Sequence, residues 1–181
     1  SDVERVEKEL KKTNDELRKI VDEARKLLEK TNKEIRDINR TMMEELRRTN
    51  EDLKRVVERG EDRSVLKEIL ERSEKLVRES IKKNEDLLRE SKRVVDKVIR
   101  EIERILEKSR ELVREALRRL TDRRVIERIR EIARKNEEDV KKLLKELKDL
   151  LEKNKRDVEK ASEENKKLLE DNERDVRRES T

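Results

Sequence analysis

The expected fold is all-α: an up-down-up antiparallel three-helix bundle of long, nearly straight helices, occupying residues 1–181 as one domain. Three observations point there. Apolar residues recur at steps of three and four along almost the whole chain. Only two short stretches, "RGEDRS" and "LTDRR", interrupt that phase. Polar residues return on the apolar stripe at an 18-residue interval in each segment.

The first segment carries its stripe through Val3, Val6, Leu10, Leu17, Leu28, Ile35, Leu46 and Leu53, which predicts an amphipathic helix over about residues 2–59. Ser1 and Glu4 fit a capping box at its start. Gly60, the only glycine in the chain, suits the left-handed residue after a helix C-terminus. Asp62 or Ser64 then offers the next N-cap. A second helix is expected over about residues 64–120, with Leu66, Ile69, Leu76, Val94, Ile102 and Leu112 on its stripe. Thr121 and Asp122 mark a tight turn without glycine or proline. The third helix is expected over about residues 123–179, through Ile129, Val140, Leu147, Val158 and Leu169. Each is about 55–58 residues, or roughly 85 Å at 1.5 Å per residue. Short connections make consecutive helices antiparallel neighbours. Doubled stripe positions (Ile20-Val21, Leu27-Leu28, Val94-Val95, Leu143-Leu144) widen the apolar face, as a helix touching two neighbours needs.

The 18-residue repeat carries most of the remaining information. Thr13-Asn14 returns as Thr31-Asn32 and Thr49-Asn50; Ser73 returns as Ser91 and Ser109; Asn136 returns as Asn154 and Asn172. Eighteen residues make five turns at 3.6 per turn, the relaxed helical period, so supercoiling is not imposed. In an antiparallel hairpin, facing positions have a constant index sum. Ser109 with Thr13-Asn14, Ser91 with Thr31-Asn32 and Ser73 with Thr49-Asn50 share one sum. The Ser109–Asn136, Ser91–Asn154 and Ser73–Asn172 pairs share another. The polar residues therefore fall into three layers of Thr, Asn, Ser and Asn, about 27 Å apart. A fourth layer of Asn39, Ser80, Asn84, Ser162 and Asn165 occupies positions that the repeat makes apolar elsewhere. Thr13, between Leu10 and Leu17, is expected to be buried, with Asn14, Asn32 and Asn50 toward the stripe's edge.

"TNDE" and "TNKE" also fit the T-x-x-E helix-start pattern, but the apolar phase runs through them unbroken and no glycine or proline precedes them. A catalytic reading fails on chemistry. Ser and Thr need an adjacent base to act as nucleophiles, and the chain has no His. Asn and Ser build no acid–base pair. Metal ligation would need His, Cys or converging carboxylates, and the acidic residues fall mainly off the stripe. The role that fits is specificity. An unpaired buried amide costs about 1–3 kcal/mol, while a satisfied hydrogen bond gains only about 1 net, so polar layers penalise wrong registers heavily. An 18-residue slide would still match two of the three repeated layers; the fourth would then meet apolar residues.

Composition narrows the function classes. Charged residues are 57% of the chain and apolar residues 30%, with no aromatic, Pro, Cys or His. Their joint absence points to an artificial sequence. The +5 net charge comes from 54 basic and 49 acidic residues interleaved in sequence, unlike the basic stripe that nucleic acid requires. Acid-before-base pairs such as Glu4-Lys8, Glu7-Lys11, Asp15-Lys19 and Glu29-Lys33 support a solvated helix face. No run of about 18 apolar residues is present, and "SDVERVEKEL" lacks the apolar core of a signal peptide, so a soluble protein is expected.

Together, the TN repeats, the Ser and Asn series, the Glu/Lys/Arg surface and the minimal connections resemble computationally designed, parametric three-helix bundles with buried hydrogen-bond networks. The resemblance implies a stable scaffold with no natural ligand. No enzyme activity, no cofactor, no metal, no nucleic-acid or membrane partner, and a monomer are expected. The alternative is a designed interaction module that self-assembles or pairs with partner helices.

Overall fold

The computed structural model describes residues 2–179. They form α1 (Asp2–Glu58), α2 (Arg63–Arg119) and α3 (Arg123–Glu179), each of 57 residues, and no strand occurs among the described residues. This is the expected three-helix bundle. All three helices pass through the polar repeats without a break, so Thr13, Thr31 and Thr49 start no new helix. Ser1 of the expected capping box lies outside the described residues.

Local sequence explains both connections. Gly60 has φ of 63°. Its N–H donates to Val57 O at 3.0 Å, and the Glu61 N–H reaches back to Val56 O at 3.2 Å. This bond pair is the Schellman ending, which satisfies the last helical carbonyls and requires a residue at positive φ. Asp62 directly precedes α2 and takes the N-cap position; Ser64 lies inside the first turn. The second connection needs no glycine, because no other residue has positive φ among those described. Asp122 caps α3: its Oδ1 accepts from the Arg124 N–H at 3.0 Å, and its carbonyl accepts from the Ile126 N–H at 3.1 Å.

Two compact units divide the chain, Ser1–Glu29 with Ser91–Glu152, and Lys30–Glu90 with Lys153–Thr181. Each takes a segment from all three helices. In the first unit the core separates into two clusters. One holds Val6, Leu10, Val113 and Ile129. The other holds Leu17, Val21, Ala24, Leu28, Val95, Val98, Ile102, Val140 and Leu147. The second unit has a cluster of Met42, Leu46 and Val77, flanked by Leu76, Ile81, Leu168 and Leu169. Full burial of one such aliphatic side chain contributes about 1.5–3 kcal/mol. Leu27 departs from expectation. It is 51% exposed beside Leu28 at 1%. Neighbours on a helix point about 100° apart, and Leu28 is the one that continues the inward steps from Leu17, Val21 and Ala24.

Candidate functional site

The polar layers are the feature of the sequence that first invites a functional reading. In the first unit, Thr13 and Asn14 of α1, Ser109 of α2 and Asn136 of α3 separate the two apolar clusters. Leu10 and Leu17 flank the layer on α1, Val113 and Ile102 on α2, Ile129 and Val140 on α3. Asn136 lines one groove with Asn14 and another with Ser109. The four residues thus stand at one height, as their indices require. Ser109 and Asn136 are buried. Thr13 is half-buried, like Asn14, which corrects the expectation that it lies fully inside. Adjacent residues straddle the stripe, so each of the two takes part of the interface.

In the second unit, the Met42–Leu46–Val77 cluster lies between two polar layers. Thr49, Asn50, Ser73 and Asn172 are beyond one side of it in sequence, and Asn39, Ser80, Asn84 and Asn165 beyond the other. Ser73, Ser80, Asn84, Asn165 and Asn172 are buried, whereas Asn39, Thr49, Asn50 and Ser162 are half-buried. Asn84 Nδ2 donates to Asn39 Oδ1 at 2.8 Å, joining α2 to α1. Asn32 Nδ2 donates to Asn154 Oδ1 at 2.7 Å and to Asp157 Oδ2 at 2.9 Å, joining α1 to α3. Thr31 is half-buried beside Asn32 in this unit, while Ser91 is buried in the first unit.

Not every layer residue bonds across helices. The Thr49 hydroxyl donates to Glu45 O in its own helix at 2.9 Å, which satisfies the donor locally. Asn14 Oδ1, Ser73 Oγ, Ser80 Oγ, Asn84 Oδ1, Asn136 Oδ1, Asn172 Nδ2 and both side-chain polar atoms of Asn165 are buried without a protein partner. The layers are therefore polar interfaces of two kinds: amide pairs that close directly, and amides or hydroxyls that do not.

One functional pattern escaped the sequence reading. Asp157 accepts from Asn32 and pairs with Arg36 Nε at 3.8 Å. Eighteen residues earlier on both helices, Asp139 pairs with Arg18 at 3.9 Å. Glu7 and Arg128 share the same index offset, with Arg128 Nε 2.7 Å from Glu7 Oε1 as an ion pair lacking hydrogen-bond alignment. These pairs share one index offset, the parallel register of α1 and α3. The signal was present in "NEEDV", "NKRDV" and "NERDV", where an Asp follows each Asn by three residues and so lies one turn along the same face.

Other ion pairs are superficial. Asp22–Arg25, Asp37–Arg40 and Asp86–Arg89 are exposed i,i+3 pairs. Arg110 donates to Glu137 at 2.6 Å between α2 and α3, and that hydrogen bond, with the attraction of Glu137 and Glu107, raises the guanidinium above its ordinary range. Among the described residues, no group of three or more acidic side chains converges as a metal site would require, and no helix is long and apolar enough to cross a membrane.

No family model and no curated protein matches the sequence. Among solved structures, one described as a "Computationally designed three helix bundle" matches with a TM-score of 0.56, covering 97% of this chain and 90% of that one. The chain has the fold of a designed three-helix bundle. Sequence identity is 19%, so the likeness is one of fold. It extends over nearly the full length.

Proposed function

We propose that this chain is a designed structural scaffold with no natural biochemical activity, whose buried Asn, Ser and Thr layers specify helix register and topology. The bond from Asn84 to Asn39 carries the reading. It joins two residues that break the apolar repeat, at the register that the other layers require. Mid-helix Asn and Thr have lower helix propensity than Leu or Ala, and their placement at matched heights offsets that cost by discriminating against slipped pairings. The designed bundle of the same fold, the absence of His and Cys, and the interleaved surface charge support the same conclusion. Leu27 is the one large apolar side chain exposed among the described residues and makes no patch, which supports a monomer.

The test is to replace Asn39, Asn84 and Asn165 together by Leu. Thermal stability should hold or rise, while spin-label distances between α1 and α3 in the second unit broaden or become bimodal. A large loss of stability with a single sharp distance would assign these residues to stability and overturn the register role. Light scattering should give the monomer mass of 22.0 kDa. A stable dimer would favour an interaction module instead.

A further inference from the structure

We propose that Ser80, Asn84 and Asn165 form a buried water-binding site in the second unit, holding an ordered water between α2 and α3. Asn165 is 1% exposed, and its Nδ2 and Oδ1 both lack a protein partner. Asn84 is equally buried and commits its Nδ2 to Asn39, which leaves its Oδ1 as an unmatched acceptor. Ser80, 2% exposed, has an unmatched hydroxyl.

These groups share one level of the unit. Ser80 and Asn84 are four residues apart on α2 and therefore lie on one face. Val77 and Ile81 bracket Ser80, and Leu168 follows Asn165 by three residues; all three apolar residues belong to the same cluster. Ser80 with Asn165 also has the index relation that links Ser73 with Asn172. At one level but without a direct hydrogen bond among these atoms, the groups have the arrangement that a bridging water satisfies.

Their chemistry matches water better than any single side chain. Two amide carbonyls, Asn84 Oδ1 and Asn165 Oδ1, require donors. Asn165 Nδ2 requires an acceptor, and Ser80 Oγ serves as either. A water donates twice and accepts twice, so one molecule meets both carbonyls and the Asn165 amide, with the Ser80 hydroxyl as its fourth partner. Three hydrogen bonds are typical of a buried water.

Water-selective NOE and ROE spectra of the isotopically labelled full chain test it. The Asn165 side-chain amide should show cross-peaks to water whose sign reports a residence time beyond the nanosecond range. Ser80→Ala should shorten that residence time roughly fivefold to tenfold, the effect of one lost hydrogen bond. Two results on the unaltered protein would overturn the site. One is an Asn165 amide that contacts only Ser80 and Asn84, which means direct closure. The other is an amide that exchanges as a solvent-exposed one does. An unchanged residence time in Ser80→Ala would remove Ser80 from it.

Discussion

The side chain of Asn84 on α2 donates to that of Asn39 on α1 at 2.8 Å, but the two residues are not buried alike: Asn84 is fully enclosed and Asn39 is half-exposed. The asymmetry decides what each substitution does. Asn39→Leu strips the enclosed Asn84 Nδ2 of its protein partner and should destabilise by about 1–3 kcal/mol. Asn84→Leu leaves Asn39 facing solvent and removes the buried amide itself, so it should be close to neutral. The double variant should be near neutral. Urea unfolding of all four proteins gives the coupling; equal losses in the two single variants would contradict the argument.

Asp157 joins Asn32 and Arg36 at the α1–α3 edge. Asp157→Ala should cost about 1 kcal/mol, the charge-assisted bond being reduced by partial exposure. The third equivalent of the Arg18–Asp139 and Arg36–Asp157 pairs is Lys54 with Asp175, which line one groove. Lys54→Arg should add a few tenths of a kcal/mol at low ionic strength and nothing at high salt. Denaturant midpoints at two salt concentrations would separate these effects.

The Leu27-Leu28 pair predicts sharply unequal outcomes. Leu28→Ala empties a site in the main cluster of the first unit and should cost 2–5 kcal/mol, about the range for buried leucines. Leu27→Gln changes an exposed side chain and should stay within about 0.5 kcal/mol. Thermal melts of both variants check the assignment.

Gly60→Ala should destabilise by roughly 1 kcal/mol, although an added Cβ would meet nothing within 4 Å. The loss comes from the positive φ alone, so Gly60→Asn, which tolerates that conformation better, should recover part of it. If Ala and Asn destabilise equally, backbone conformation is not the cause.

For the Arg110–Glu137 pair, ionic strength rather than pH is the useful variable. The folded protein raises the Arg110 guanidinium above its ordinary range. Any contribution is therefore complete below that range and is lost only as strongly alkaline pH passes the raised value. Both side chains are substantially exposed, so Glu137→Gln should cost about 0.2–1 kcal/mol at low salt and less as salt rises.

Much of this was legible because one period governs both packing and polarity. The three helices follow from the apolar steps, and the buried Ser73, Ser109, Asn136 and Asn172 follow from their places on the stripe. What the pattern left open is angular. Thr13 and Asn14 divide one interface between them, and Leu27 falls outside it, because a hundred degrees separates neighbours and a list of apolar positions does not locate the edge of contact. Hydrogen-bond choice was equally hidden: Thr49 bonds its own backbone, while Asn32 reaches two acceptors on α3. The edge carboxylates were visible as a spacing, but their Arg partners emerge only when α1 and α3 are laid side by side.

The equal length of α1, α2 and α3 has a practical consequence. Since all three repeat over 18 residues, the chain has a natural cutting unit, one cassette per helix. Inserting or removing a matched set changes every helix by about 27 Å while leaving both connections and every facing pair in phase. Cassettes that are not whole multiples of 18 would put the polar layers out of step, and most would also rotate one face away from its neighbours. The molecule can thus be graduated like a ruler, in whole divisions only.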